Sequence, residues 1–225
     1  MNSIDKPSFN ENITTTLDFF QNPKTSDPFR FLSGNGCVLI SAPHSVEQLR
    51  LGKPKLPEYQ TGILALLLHH TLNCPTIIKT SNQNDDANFD MPCAYKSFLT
   101  TQIPDSSIKY LIDLHQMSRR RKQMITICTG RGANIHKRDD ITDLIKNSFK
   151  ASKFHGIHID DPFDATYENT VSSYISRTCR IPCFQLEINS QLVHTDHPQH
   201  RFYDVLNVLS HIIQTLNNPS ASLKP

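Results

Sequence analysis

The chain has few glycines, little net charge and no long apolar run. Its 225 residues include only 7 Gly against 14 Pro, and the net charge is +2. A charge this small gives no reason to expect nucleic acid or an anionic membrane as a partner. The longest apolar run, residues 63–68, ends at two histidines and is far shorter than the ~20 residues of a membrane span.

The six cysteines follow no disulfide or zinc-knuckle pattern. None stands in a Cys-x-x-Cys pair, and Cys179 and Cys183 have no second pair nearby. Reduced, partly buried thiols are therefore expected, with a zinc knuckle as the weaker alternative. Residues 1–16, MNSIDKPSFNENITTT, lack the apolar core of a signal peptide. We expect a cytoplasmic protein.

The length and the pattern of apolar runs predict one α/β domain over residues 28–217. A polar lead-in at 1–27 precedes it and a frayed tail at 218–225 follows it. Short strands alternate with helices, which favours a largely parallel sheet covered on both faces. Strands are predicted at 29–32, 37–41 (joined by a turn at 33–36), 76–80, 109–115, 124–129 and 181–188, and helices at 58–72, 91–103, 139–149 and 201–216.

Ionisable side chains stand where three of these strands end. His44 follows the strand at 37–41, and His115 ends the segment KYLIDLH (109–115). Glu187 lies on the polar face of IPCFQLEI (181–188), near its end. Ligand sites of α/β sheets lie beyond the carboxyl ends of the strands, so we expect these three groups to converge.

His44, Glu47 and His115 form a candidate ligand set for one zinc ion. Two imidazoles and one carboxylate with an open fourth position are typical of a catalytic zinc site, and such a zinc lowers the pKa of water to about 7. Glu187 is then predicted to be the general base. Simpler interpretations stay open: His44 could begin a turn with a solvated Glu47, His115 could be a core histidine, and Glu187 could pair with an arginine.

Five segments between about residues 36 and 213 carry a recognisable pattern: VLISAPHSVE (38–47), DDANFD (85–90), IDLHQM (112–117), ICTGRGAN (127–134) and FQLEIN (184–189). Together they resemble the N-formylglutamate amidohydrolase family, which is related to the zinc carboxypeptidases and succinylglutamate desuccinylases. The resemblance implies a zinc-carboxypeptidase-like three-layer α/β sandwich with a mixed sheet, and one zinc ion per chain. It assigns the zinc ligands to His44, Glu47 and His115 and the base to Glu187.

The resemblance implies hydrolysis of the C–N amide bond of an N-acyl, formyl-type amino acid, a small molecule that bears a carboxylate. Two departures leave the substrate open. Val46 and Glu47 follow the Pro-His-Ser where the amidohydrolases usually carry glycine. Ala87 stands where zinc carboxypeptidases carry a carboxylate-binding arginine. The alternatives are a carboxypeptidase or cell-wall-peptide amidase with the same site, and a non-catalytic binding protein with this fold.

Other residues are assigned supporting roles. Asp113, two positions before His115, is predicted to hold a histidine ligand by its N–H, with a buried aspartate bonded to backbone amides as the alternative. The resemblance implies that Asn88 hydrogen-bonds substrate, because residues 86–89 are the nearest match to the substrate-binding stretch of the zinc carboxypeptidases. Arg131 and Arg119 are predicted to bind substrate, because arginine clamps carboxylates and Arg131 stands between two glycines. Arg177 and Arg180 are further candidates, and the histidines at 194, 197 and 200 indicate a surface loop or a lid.

Overall fold

The computed structural model describes residues 17–21 and 25–218, so most of the predicted lead-in (1–16 and 22–24) and the tail from 219 lie outside the described residues. Residues 17–21 are helical. The described strands are β1 (Phe29–Leu32), β2 (Val38–Ala42), β3 (Gln48–Arg50), β4 (Lys53–Lys55), β5 (Thr76–Lys79), β6 (Tyr110–Met117), β7 (Ile125–Cys128), β8 (Ile157–Ile159) and β9 (Cys183–Asn189).

Helices cover the sheet. They are α1 (Tyr59–Leu72), α2 (Ala94–Gln102), α3 (Asp139–Ala151), α4 (Val171–Cys179), α5 (Ser190–Val193) and α6 (Phe202–Asn217). None of the helices within the described ranges has the length and apolar character needed to cross a bilayer.

Seven strands form one mixed sheet in the order β1-β5-β2-β6-β9-β7-β8, and β3 and β4 form a separate hairpin. Strand β2 is parallel to β5 and β6, β6 is parallel to β9, and β7 is parallel to β8. Only the pairs β1–β5 and β7–β9 are antiparallel in this sheet. The predicted α/β class with a mixed, largely parallel sheet is confirmed.

Two apolar clusters, one on each face of the sheet, make the structure three-layered. Val38 and Ile40 of β2 pack with α1, α3 and α6, whereas Leu39 packs with α2 and α4 on the opposite face. All three side chains are fully buried, because a central parallel strand is covered on both sides. Truncating such a side chain to alanine typically costs about 2–5 kcal/mol of unfolding free energy.

The turn at 33–36 joins β1 to β2, but the two strands are not neighbours in the sheet. Strand β5 lies between them, antiparallel to β1 and parallel to β2. The turn packs instead on the connection from α1 to β5: the amide of Asn35 donates to the carbonyl of Asn73 (2.6 Å). A β carbon on Gly34 would lie 2.3 Å from that same carbonyl oxygen, so this close backbone approach requires glycine.

Helix α1 packs tightly on the loop that follows β2. A β carbon on the buried Gly62 would lie 2.7 Å from the β carbon of Ser45 and 2.4 Å from the ring of Phe20. Ser45 cannot retreat easily, because its hydroxyl donates to the carbonyl of Lys79 (2.6 Å). The loop that carries His44 is thus supported directly by the helix.

We expect Gly62→Ala to lower the free energy of unfolding by about 1–3 kcal/mol through overpacking, although alanine alone would favour the helix by about 1 kcal/mol. Urea denaturation measures the change. Thr71→Ala, at an exposed position of the same helix, is the control and should change stability by less than about 0.5 kcal/mol. A Gly62→Ala protein as stable as the parent would contradict the close packing.

Candidate metal centre

The carboxyl ends of neighbouring strands bring two histidines together. His44 lies two residues beyond the end of β2, and His115 lies in β6, which pairs with β2 in parallel. Glu58 joins them from the residue immediately before α1. Its amide donates to the carbonyl of His44 (2.8 Å), so the start of the helix is tied to the histidine loop.

These three side chains form a buried cluster whose donor atoms face one another. The Nδ1 atoms of His44 and His115 are 3.0 Å apart. Glu58 places Oε1 3.1 Å from Nδ1 of His44 and Oε2 3.5 Å from Nδ1 of His115. Ligands at 2.0–2.1 Å in a tetrahedral zinc site are separated by about 3.3 Å. The spacing of the cluster therefore fits one metal ion.

A second ring of carboxylates orients the imidazoles. The Nε2 atom of His44 lies 2.8 Å from Oδ1 of Asp86, and Nε2 of His115 lies 3.0 Å from Oδ2 of Asp113. Each Nε2–H donates to its carboxylate, which leaves both Nδ1 lone pairs directed at the centre of the cluster. Two facing lone pairs repel unless a cation, either a proton or a metal ion, lies between them. Asp113 thus contacts His115 as the sequence predicted, and Asp86 is an orienting residue that the prediction missed.

Charge also favours a cation here. Four carboxylates surround the two imidazoles, and two basic side chains from the β3–β4 hairpin contact two of these carboxylates. Acidic groups therefore outnumber basic side chains around the cluster, which favours a bound cation. The carboxylates are those of Glu58, Asp86, Asp113 and Glu187, and the basic groups are Arg50 on Asp86 and Lys55 on Glu58.

The pKa shifts agree with this electrostatic picture. Burial alone would lower the pKa of His115, but the carboxylates of Asp113 and Glu58 outweigh burial and raise the pKa to about 10. Burial would raise the pKa of Glu58, yet the neighbouring histidines hold it well below its usual range. Positive charge is therefore stabilised at the cluster.

Glu47 lies outside this cluster, so its assignment as a ligand is corrected to Glu58. Val46 and Gln48 are buried, whereas Glu47 between them is exposed to solvent. His44 lies in a turn, and the chain passes through a bend at 45–46 before β3 begins at Gln48, so the His-x-x-Glu spacing does not bring the two side chains together. Acidic residues are common at the start of a helix because they interact favourably with the helix dipole. The position of Glu58 in the sequence therefore did not identify it as a metal ligand.

Glu187 faces the same space as the cluster. It pairs with His115 in the parallel register of β6 and β9, and both line a cavity of about 480 Å³. Gln185 donates to its Oε1 (2.7 Å). Burial raises the pKa of Glu187 above its ordinary value. A buried carboxyl group with a raised pKa can accept a proton and return it.

The structure places the residues predicted to bind substrate in different parts of the molecule. Asn88 lines the cavity, although its Oδ1 already accepts from the amide of Val171 (2.6 Å). The side chain of Arg131 is 78% exposed and pairs with Asp164 (3.1 Å). Arg119 lines a separate cavity with His194 and His197. The structure thus brings neither predicted arginine to the cluster, and within the described residues it places the histidines at 194, 197 and 200 in no metal-binding group.

The basic residues that do line the cavity are Arg50 and Lys55. Both belong to the β3–β4 hairpin, which the sequence prediction missed. Its three-residue strands are too short to show a clear alternation of polar and apolar residues.

No protein-family model and no curated protein matches the chain. Solved structures do share its fold, among them the following three. A gene product of Agrobacterium tumefaciens has a TM-score of 0.59 at 10% identity, covering 88% of this chain and 97% of that one. A bacteriophage poly-gamma-glutamate hydrolase has a TM-score of 0.54 at 13% identity, covering 85% and 91%. The N-formylglutamate amidohydrolase of Ralstonia eutropha JMP134 has a TM-score of 0.54 at 11% identity, covering 85% and 98%.

These likenesses confirm, at the level of fold, the resemblance to the N-formylglutamate amidohydrolases. At such low identity they describe the architecture and not the substrate.

Exchanging single carboxylates tests which residue binds the metal. We expect Glu58→Gln to weaken zinc binding by more than about 100-fold, beyond the 10–100-fold effect of losing a residue that only orients a ligand. Glu47→Gln should bind zinc as the parent does. Competition with a chelator of known affinity measures both. Loss of zinc in the Glu47 variant but not in the Glu58 variant would contradict the geometry.

Proposed function

We propose that the chain is a zinc-dependent hydrolase that cleaves the C–N amide bond of an N-acyl, formyl-type amino acid. The observation that carries the proposal is the shared cavity: two carboxylate-oriented imidazoles and Glu58 face it, and the buried Glu187 faces it too. A metal-ligating set beside a protonatable carboxyl group is the arrangement that metal-assisted hydrolysis requires.

The donor set supports zinc over magnesium or calcium. Two imidazole nitrogens and one carboxylate suit zinc, whereas Mg²⁺ and Ca²⁺ prefer oxygen ligands. His44, Glu58 and His115 would hold one ion per chain, which when bound lowers the pKa of water to about 7 and polarises a carbonyl group.

Glu187 supplies the acid–base chemistry. Its carboxylate takes a proton from the attacking water and delivers that proton to the leaving amine. Gln185 holds one oxygen of Glu187 in place, which leaves the other oxygen for this transfer. Because the group is buried, its raised pKa brings proton affinity closer to the neutral range, where acceptance and return of a proton are both efficient.

The cavity also supports a substrate that carries a carboxylate. Its basic side chains, Arg50 and Lys55, lie on one side, and the aromatic rings of Phe89, Phe163 and Tyr167 also line it. Charged and apolar groups in one cavity suit a small molecule with an anionic end and an apolar part.

Glu187→Gln tests the assignment of the base. The variant should bind zinc normally, because Glu187 is outside the ligand set, while kcat falls by roughly 10²–10⁴-fold. Metal analysis and steady-state kinetics give the two readouts. The control, Glu168→Gln, removes an exposed carboxylate and should leave both unchanged. Full activity in the Glu187 variant would remove it from the mechanism.

A substrate panel tests the reaction itself. We expect the zinc-loaded protein to hydrolyse N-formyl, N-acetyl or N-succinyl amino acids in preference to short peptides with a free carboxyl terminus, with release of the free amine as the readout. Preferred turnover of peptides or cell-wall peptides would instead indicate a carboxypeptidase or amidase. Zinc binding without turnover of any compound would indicate a non-catalytic binding protein.

A further inference from the structure

We propose that Arg50 binds the substrate carboxylate with the free edge of its guanidinium group, and that this contact restricts the site to carboxylate-bearing substrates. The inference rests on the proposed function and deepens it by naming the residue that recognises the substrate. It replaces Arg119, which lines a separate cavity, and Arg131, which pairs with the cavity residue Asp164 but does not line the cavity itself.

Arg50 is held in place from two sides. Its Nε donates to Oδ2 of Asp86 (2.7 Å), and its guanidinium carbon lies 5.1 Å from the centroid of the Phe89 ring. Tyr167 stacks on Phe89, with ring centroids 5.2 Å apart. A guanidinium fixed by an ion pair and a stacked ring loses little side-chain entropy when it binds a ligand.

The rest of the guanidinium group is unused. Arginine has five N–H donors, and only Nε–H of Arg50 takes part in a hydrogen bond to any of the residues that the structure describes. The side chain is 37% exposed and lines the cavity. The two Nη groups therefore present the planar fork that matches the two oxygens of a carboxylate.

Lys55, the other basic residue of the cavity, is placed differently. Its Nζ lies 2.7 Å from Oε1 of Glu58, so its charge is directed at a member of the metal cluster. An ammonium group is also a point charge without the paired geometry of a guanidinium. Arg50 is thus the better match to a carboxylate among the cavity residues.

The position of Arg50 relative to the cluster suits an N-acyl amino acid. Asp86 accepts from Arg50 through Oδ2 and from His44 through Oδ1, so a single carboxylate separates the guanidinium from an imidazole of the cluster. In the substrate, the carboxylate and the scissile amide nitrogen are bonded to the same α carbon. A short distance between the anion-binding group and the metal ligands is what such a molecule needs.

Ligand-observed NMR titrations would test the proposal with N-acetyl-L-alanine and N-acetyl-L-alaninamide, which differ at the carboxylate. The protein is used zinc-loaded in the Glu187→Gln background, so that neither probe is consumed. We expect tighter binding of the carboxylate probe, and we expect Arg50→Gln to weaken that binding by about 10–100-fold without affecting the amide. Arg50→Lys should restore only part of the affinity.

The matched control is Lys53→Gln, which removes a positive charge from an exposed position of the same hairpin; unchanged binding there supports a local contact. Three results would overturn the proposal. The protein that retains Arg50 could bind both probes equally, or Arg50→Gln could bind the carboxylate probe as tightly as that protein does. Arg50→Gln could also fail to load zinc, which would show that Arg50 acts by positioning Asp86. If binding of the carboxylate probe depends on Arg50 but the zinc-loaded protein with Glu187 intact hydrolyses no compound of the substrate panel, only the hydrolase proposal is overturned.

Discussion

The structure depends on two buried imidazoles whose Nδ1 atoms face each other at 3.0 Å. Each ring is fixed by a carboxylate on its far side, so neither can turn away from the other. Burying this many ionisable groups costs free energy unless opposite charges and hydrogen bonds compensate. The arrangement is understandable as a binding site for a cation, because a positive charge there is stabilised by the carboxylates around the two imidazoles.

The central sheet and the segments outside it contribute different side chains to the site. Strands β6 and β9 supply His115 and Glu187, which the parallel register of these two buried central strands places side by side, and the loop after β2 supplies His44. Glu58, Asp86 and Arg50 come from segments outside that sheet. The candidate ligand set therefore combines two groups on or next to the sheet with Glu58, which a loop and the start of α1 place beside them.

The sequence predicted the large elements well because their apolar patterns are long. The central strands and the helices at 58–72, 139–149 and 201–216 agree with the structure to within two residues at each end. Five shorter elements were missed: β3, β4, β8 and α5 have only three or four residues, too few to show a periodicity, and α4 has nine. The neighbours of β1 could not be predicted either, since a turn signal shows that the chain reverses and not which strand pairs with which.

At the site, the sequence by itself determined that the two histidines, Glu187 and Asp113 lie at one edge of the sheet. Each stands on or just beyond a long apolar strand, and the direction of the strand sets where its end lies. Only the tertiary structure decided which carboxylate completes the cluster and which basic residues face the cavity. Glu47 is three residues from His44 but points to solvent, whereas Glu58 is held beside it by a backbone hydrogen bond. Local spacing cannot reveal a contact that forms when a loop folds back on itself and a helix begins there.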